Sequence, residues 1–495
     1  MGECGVELCD RPAHVLQALL ARREVSAAEV TQSVFSRMAS DEEALHCYLA
    51  VDQDRALASA REIDRRRLAG EELSMLAGIP VAIADNICTR ELATTCASRM
   101  LKGFVPPYDA TVVHRLRQAG LPVLGKTNMD EFGWGCSTEG STWGPTRHPW
   151  DKSCLPGGAH GGAAAAVASG EAVLALASDT GGSLRQPAAL CGVVGLRPTY
   201  GRVSRYGLVA TASSLDQVGP ITRDVRDCAL MLNVLAGADP LDPTSQGEDV
   251  PDFARALEAG VRGLVVGLPR EYFGEGVDSQ VAALVLQAAR QLENCGARLE
   301  EVTLPAPEEA LAAYGVILAA EFSSSLARFD GVRYGHRSPK APDSFSMFSN
   351  TRAEAFGPGV KQAILMGTYV LSAGQYESYY LKAAQVRTLI MRAFTAAFNH
   401  CDLLLTPTSP TVACRENRAT DDLYHMHRPH SCTLAATLAG LPAISLPCGV
   451  VEGLPVGLQL VGPRLHEERL FAAAYAFEQT AGIAPLYPEG RSSRG

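Results

Sequence analysis

The chain has 495 residues, of which 47% are hydrophobic and 6% aromatic, and its formal net charge is −10. That length suits two to four domains or one large α/β unit with an Ala/Leu/Val-rich interior, and the acidic balance excludes a bare nucleic-acid binder. No run of 18 apolar residues occurs, which excludes a membrane-spanning helix; the 14 cysteines include no CxxC pair, and the opening MGECGVELCD lacks the basic and apolar regions of a signal peptide. They read as reduced, buried thiols of a cytoplasmic protein.

Residues 12–22 and 26–39 have helical spacing (Val15, Leu16, Leu19, Leu20, then Val30, Val34, Met38), and Ser26 with Glu29 makes a capping box at the second. HCYLAV at 46–51 reads as a strand and 53–67 as a charged helix. Its Arg61, Arg65, Arg66 and Arg67 read as a solvated face, with an RNA contact as the alternative. Residues 1–68 form a helical extension ahead of a core at 69–485.

From residue 76 strands alternate with helices, the pattern of a large mixed or parallel sheet covered by helices, so the fold class is α/β. AGIPVAI, LPVLGK, VLALAS and GVVGLRP read as strands, and DATVVHRLRQAG and 222–237 as helices. After a turn-rich stretch at 237–252, strand GLVVGL, helix 278–295 and strand ARLEEVTL repeat a β-α-β pattern, which suggests an inserted lobe at about 253–360. Residues 308–322 are helical, whereas 329–359 are too broken for a long element and read as a lid or partner surface. One long helix is expected at 360–399, then strand DLLLTPT, helix 432–439, a hairpin of AISLP and VGLQLVG, helix 466–481 and a disordered tail at 486–495.

Chemistry concentrates at 154–199, where two Gly-rich turns, 156–162 and 180–183, bracket an Ala-rich helix and the strand VLALAS. A Gly-Gly-Ser turn between a strand and a helix aims several N–H groups at one point, as an anion or oxyanion requires. Ser183 lies in that turn. Taken alone, the tripeptide reads as a tight turn capped by serine.

The flanking strings GKTNMDEF (125–132), GPTRHPW (144–150), GLRPTYGRVSRYGL (195–208) and SSLDQVGP (213–220) join DTGGSLRQPA in one order. Together they resemble the amidase signature family, within it the branch of glutamyl-tRNA(Gln) amidotransferase A subunits, from about residue 12 to 485. The resemblance implies the amidase-signature fold, a large mixed sheet between helices. It also implies a Ser nucleophile, a second Ser after a cis peptide, and a neutral Lys base. Ser183 matches the nucleophile, and Thr180, Gly181 and Gly182 match the oxyanion donors. The other two positions depart: G-I-P-V-A-I-K-D-N is here GIPVAIADN, placing Ala84 at the Lys, and G-G-S-S-G-G-S is GGAHGGA, placing Ala159 at the cis-Ser with His160 beside it.

The implied glutamine pocket departs too. The Arg of V-K-R-R-I becomes Ala363 in VKQAI, after Gln362, and the Asp of S-D-I-F-T becomes His430, while Tyr314 matches a pocket tyrosine. A zwitterion needs opposite charges at fixed positions, and both are gone. Lys126 belongs to the family's own GKTN string, so it is no recruited base. His160 has a suitable side chain, but its ring should point away from where residue 159 points. HMHRPH at 425–430 suggests zinc, yet without a companion ligand it reads as a surface loop, and Cys432 falls in the next helix. No metal or other cofactor is expected in this chain.

Two functions follow from the resemblance. One is an A-subunit homologue, catalytically impaired, that acts as a structural or regulatory partner of B and C subunits. In it ATP and magnesium are used by the B subunit, and tRNA is reached only through that partner. The other is an active amide hydrolase or glutaminase in which Ser183 works with a rearranged base such as His160.

Overall fold

A computed structural model describes residues 7–415 and 426–480; the expected tail at 486–495 lies outside them. Eleven strands form one mixed sheet: β1 (Tyr48–Val51), β2 (Val81–Ala84), β3 (Val123–Thr127), β4 (Leu174–Asp179), β5 (Val194–Arg197), β6 (Gln217–Thr222), β7 (Val265–Pro269), β8 (Arg298–Val302), β9 (Leu403–Pro407), β10 (Ala443–Val451) and β11 (Leu454–Val461). Their order is β1-β3-β2-β4-β6-β5-β10-β11-β9-β7-β8. β2 runs parallel to β3 and β4, and β7 parallel to β8 and β9; the pairs between β4 and β9 are antiparallel.

The helices are α1 (Ala13–Ala21), α2 (Ala27–Leu45), α3 (Gln53–Leu68), α4 (Thr111–Gln118), α5 (Gly161–Ser169), α6 (Arg185–Cys191), α7 (Val225–Leu235), α8 (Phe253–Ala256), α9 (Ser279–Asn294), α10 (Pro307–Leu326), α11 (Ser344–Ala355), α12 (Pro358–Val370), α13 (Lys382–Ala397), α14 (Ser431–Leu438) and α15 (Glu467–Thr480). The capping box forms as read: Ser26 accepts from the Glu29 N–H while the Glu29 carboxylate accepts from the Ser26 N–H at 2.8 Å. α5, GGAAAAVAS, is buried on every side. Its side chains are small enough to let the whole helix lie against the sheet. The large apolar core runs along this sheet, and a second cluster, built on α10, α12 and α13, sits over its α14 side. None of the described helices is long and apolar enough to cross a membrane, and no described cysteine forms a disulfide.

Two expectations need correction. Residues 329–359 do contain a twelve-residue helix, α11, which the Asp343 carboxylate caps by accepting from the Ser346 N–H at 2.7 Å. The single helix at 360–399 is two helices, α12 and α13, separated at Leu371–Tyr376 and by a π-turn at Glu377–Leu381. Gly374, at φ +81°, takes the left-handed conformation that turns the chain there. SSLDQVGP ends in a central strand, β6, although Gly219 and Pro220 argue against one.

Candidate active site

β4 delivers the chain into the Thr180–Ser183 turn, and α6 leads it away two residues later. The turn is held by a buried charge network. The Asp179 carboxylate accepts from Arg185 Nε at 2.9 Å, from Arg185 Nη2 at 3.0 Å and from the Gly182 N–H at 2.8 Å. Arg197 lies 3.5 Å from the same carboxylate and donates to the Asp179 carbonyl. Burial alone pushes the Asp179 carboxyl upward; the two guanidiniums more than offset this and hold it well below the usual carboxylate range. Arg185 continues to Gln459 Oε1 on β11 at 2.6 Å and Thr437 Oγ1 on α14 at 2.7 Å. The turn is therefore tied to the sheet by groups that need no substrate.

Close packing completes its shape. Gly182 has φ +122°, and a Cβ there would collide with Thr433 Oγ1; a Cβ on Gly181 would collide with the Tyr314 hydroxyl. Thr433 Oγ1 lies 2.6 Å from the Gly181 carbonyl and 2.8 Å from that of His430. Thr180 Oγ1 donates to Asp216 at 2.7 Å, whose carboxyl burial raises to about 6.

Ser183 is 4% exposed. Its Oγ accepts from the Thr180 N–H at 3.1 Å and donates to the Ser178 carbonyl at 3.1 Å. Both partners are main-chain groups, so nothing in this pairing draws off its proton. Ala84, at the end of β2, and Ala159, before α5, are fully buried, and no described peptide bond is cis. His160 donates its main-chain N–H to the Ser183 carbonyl at 3.2 Å. Its ring turns elsewhere: Nε2 lies 3.2 Å from Ser178 Oγ and 3.4 Å from Asn86 Oδ1. Asn86 Nδ2 also donates to Ser178 Oγ at 2.9 Å. Burial lowers the His160 ring to about 4, so it is neutral at pH 7. Lys126 is fully buried on β3 and donates to the Ile87 carbonyl at 2.6 Å, Thr94 Oγ1 at 2.8 Å and Thr89 Oγ1 at 3.0 Å. Its three protons are committed to the fold.

Tyr314 on α10 meets His427 edge-on at 5.6 Å between ring centroids, and Trp134 meets the same ring at 5.5 Å. His427 and His430 are 3% and 2% exposed, so HMHRPH is not a surface loop over these residues. The reason is distant in sequence: Trp134 and Tyr314 supply an aromatic wall that desolvates the rings. Burial lowers His427 to about 4 and His430 to about 3, and neither ring has a hydrogen-bond partner among the described residues. No third metal-ligating side chain among the described residues gathers with them. Ala363 is fully buried on α12, while Gln362 is exposed.

The turn, Tyr314 and His430 thus share one region. The Asp179–Arg185–Arg197 network, Asn86, Ser178 and Trp134 are the parts that sequence reasoning missed, and His427 is the part it placed on the surface. DTGGSLR already contained Asp179 and Arg185 six residues apart, which was the available signal.

The amidase family model matches residues 29–471. The A subunit of the glutamyl-tRNA(Gln) amidotransferase of Moorella thermoacetica is 55% identical over 98% of this chain and 99% of its own length. Among solved structures, the corresponding A subunit of Thermotoga maritima is 38% identical with a TM-score of 0.81, covering 98% of this chain and 99% of that one. The peptide amidase of Stenotrophomonas maltophilia is 31% identical with a TM-score of 0.81, covering 97% and 98%. The family match, the full-length identity and the common fold have one explanation: the chain belongs to the amidase family and is homologous over nearly its whole length to the A subunits of glutamyl-tRNA(Gln) amidotransferases.

Proposed function

We propose that this chain is an A-subunit homologue that has lost glutamine hydrolysis and serves as a structural or regulatory member of a cytoplasmic heterotrimer. One observation carries the reading: the positions matched to the base of Ser183 and to its relay are the buried methyl groups of Ala84 and Ala159. A methyl group neither accepts nor donates a proton, and a serine without a base is a poor nucleophile. In a serine-protease triad the comparable loss is on the order of 10⁶ in turnover. Ala363 and His430 support the same reading, because neither can pair with a group of a glutamine zwitterion as an Arg and an Asp would. The alternative, hydrolysis through His160, finds no support in a ring that bonds to Ser178 and Asn86.

The expected partners are B- and C-like subunits of the same cell. Their contacts depend on outer-surface complementarity, which stable assemblies achieve over large areas without catalytic side chains. The chain needs no cofactor of its own, ATP and magnesium being used by the B subunit, and tRNA is met through that partner. A pull-down with tagged chain, read by mass spectrometry, tests this. Recovery of a B- or C-like protein is expected; a clean monomer would remove the scaffold reading.

A further inference from the structure

At the surface, four segments that do not include the Thr180–Ser183 turn line a cleft of about 490 Å³: Arg99 and Lys102, Thr142 and Trp143, Gly335 and His336, and Glu354 and Ala355 at the end of α11. That volume lies within the range of about 300–1,000 Å³ typical of small-molecule sites. The walls are fixed. The His336 N–H donates to the Met100 carbonyl at 2.7 Å and the Thr142 N–H to the Ala97 carbonyl at 3.1 Å. The Ser338 N–H donates to Thr351 Oγ1 at 3.0 Å.

The chemistry of the walls is uneven. Arg99 and Lys102 are exposed and form no ion pair among the described residues; the same holds for Arg333, Arg337 and Lys340 on the segment that carries Gly335 and His336. The one acid in the wall, Glu354, is already engaged, accepting from His336 Nε2 and Ser338 Oγ at 2.9 Å each. Two neighbouring acids are engaged by main-chain N–H groups, Asp330 by Val332 at 2.9 Å and Asp343 by Ser346 at 2.7 Å. Trp143, 38% exposed, supplies an aromatic side chain to the wall. Two unpaired cations thus line the cleft, with three more on the segment that supplies one of its walls, in a chain of net charge −10.

We propose that this cleft binds a nucleotide, its phosphate held by Arg99 and Lys102 and its base stacked on Trp143. Guanidinium and ammonium groups recognise phosphate by charge-assisted hydrogen bonds, and any base offers a face to an aromatic side chain. A polynucleotide would present the same unit. The occupant is nevertheless a free nucleotide, because a small anion feels the local cations whereas a long polyanion also meets the overall negative field. The site is independent of Ser183 and of the loss of hydrolysis.

The test titrates the full chain with AMP, adenosine, inorganic phosphate and an RNA oligonucleotide at fixed salt, followed by calorimetry and tryptophan fluorescence. AMP should bind saturably, with adenosine and phosphate each at least about tenfold weaker. The surface variant Arg99→Gln/Lys102→Gln should weaken AMP at least about tenfold at unchanged thermal stability. Trp143→Leu should weaken AMP while leaving the weak binding of phosphate in place. The proposal is overturned by absence of saturable AMP binding, by equal affinity in the variants, or by phosphate binding as tightly as AMP. RNA binding more tightly than AMP would overturn the free nucleotide as occupant and assign the cleft to a polynucleotide.

Discussion

Replacing Asp179 with Asn removes the carboxylate shared by Arg185 and Arg197 while keeping the side chain's shape and an oxygen for the Gly182 N–H. Asp179, Arg185 and Arg197 are all fully buried, so the change leaves two guanidiniums without their counter-charge. Breaking a buried pair in this way costs about 3–5 kcal/mol. For a cooperative transition of 495 residues the unfolding entropy is about 1 kcal/mol per kelvin, so the melting temperature should fall by about 3–5 °C. Because the Asp179 carboxyl is held below its unfolded value, its contribution is complete at pH 7 and is lost only as pH falls through the folded value. Circular-dichroism melts at pH 7 of the wild type, Asp179→Asn, Arg185→Met and the double variant supply the assay. The double variant should be more stable than the sum of the single effects by at least about 1 kcal/mol, since it removes charge and counter-charge together. A loss below about 1 kcal/mol in Asp179→Asn, or strict additivity, would refute the claim that this network holds the turn.

Restoring Ala84→Lys and Ala159→Ser together should recover little glutamine turnover, because Ala363 and His430 still stand in the pocket, and a small neutral amide should gain more; equal gains in an ammonia-release assay would show the pocket residues to be misassigned. Lys126→Met should destabilise the chain by about 3–5 kcal/mol in urea titrations, since Asp85, 3.9 Å away, loses its counter-charge; a loss under about 1 kcal/mol would mean the lysine is dispensable to the fold. Burial holds His427 at about 4 against 6.5 for a free histidine. Between those values the unfolded chain binds more protons, so this stability contribution is present above pH 6.5 and lost as pH falls towards 4. The buried carboxyls Asp130 and Glu131, raised to about 7 by burial, titrate in the opposite sense. The readout is therefore the difference between wild type and His427→Leu, which should diminish as pH falls from 6.5 to 4; a constant difference would contradict a neutral buried ring.

Local pattern carried most of the element order. The capping box at Ser26 and Glu29, the turn at Thr180–Ser183 and the alternation of strands and helices all rest on residues close in sequence. Where the decisive contacts are remote, pattern fails. β6 contains Gly219 and Pro220 yet lies between β4 and β5, paired on both sides. α11 buries only Met347, Thr351 and Ala355, while Phe345 is 80% exposed, so its apolar residues do not mark its inner face. The string HMHRPH is polar along the chain, yet Trp134 and Tyr314, remote in sequence, pack against His427 in the interior. For the site, it was the resemblance that pointed to Ala84 and Ala159. What no string could convey is that Ser183 Oγ is satisfied by main-chain groups and that the His160 ring faces Ser178.

Glutamine hydrolysis by the purified chain, alone and with B- and C-like subunits from its own cell, tests the loss of catalysis most directly. Ammonia release should be no greater than that of heat-treated protein, and Ser183→Ala should leave the trace unchanged. Release above that control, abolished by Ser183→Ala, would contradict the account and restore Ser183 as a working nucleophile.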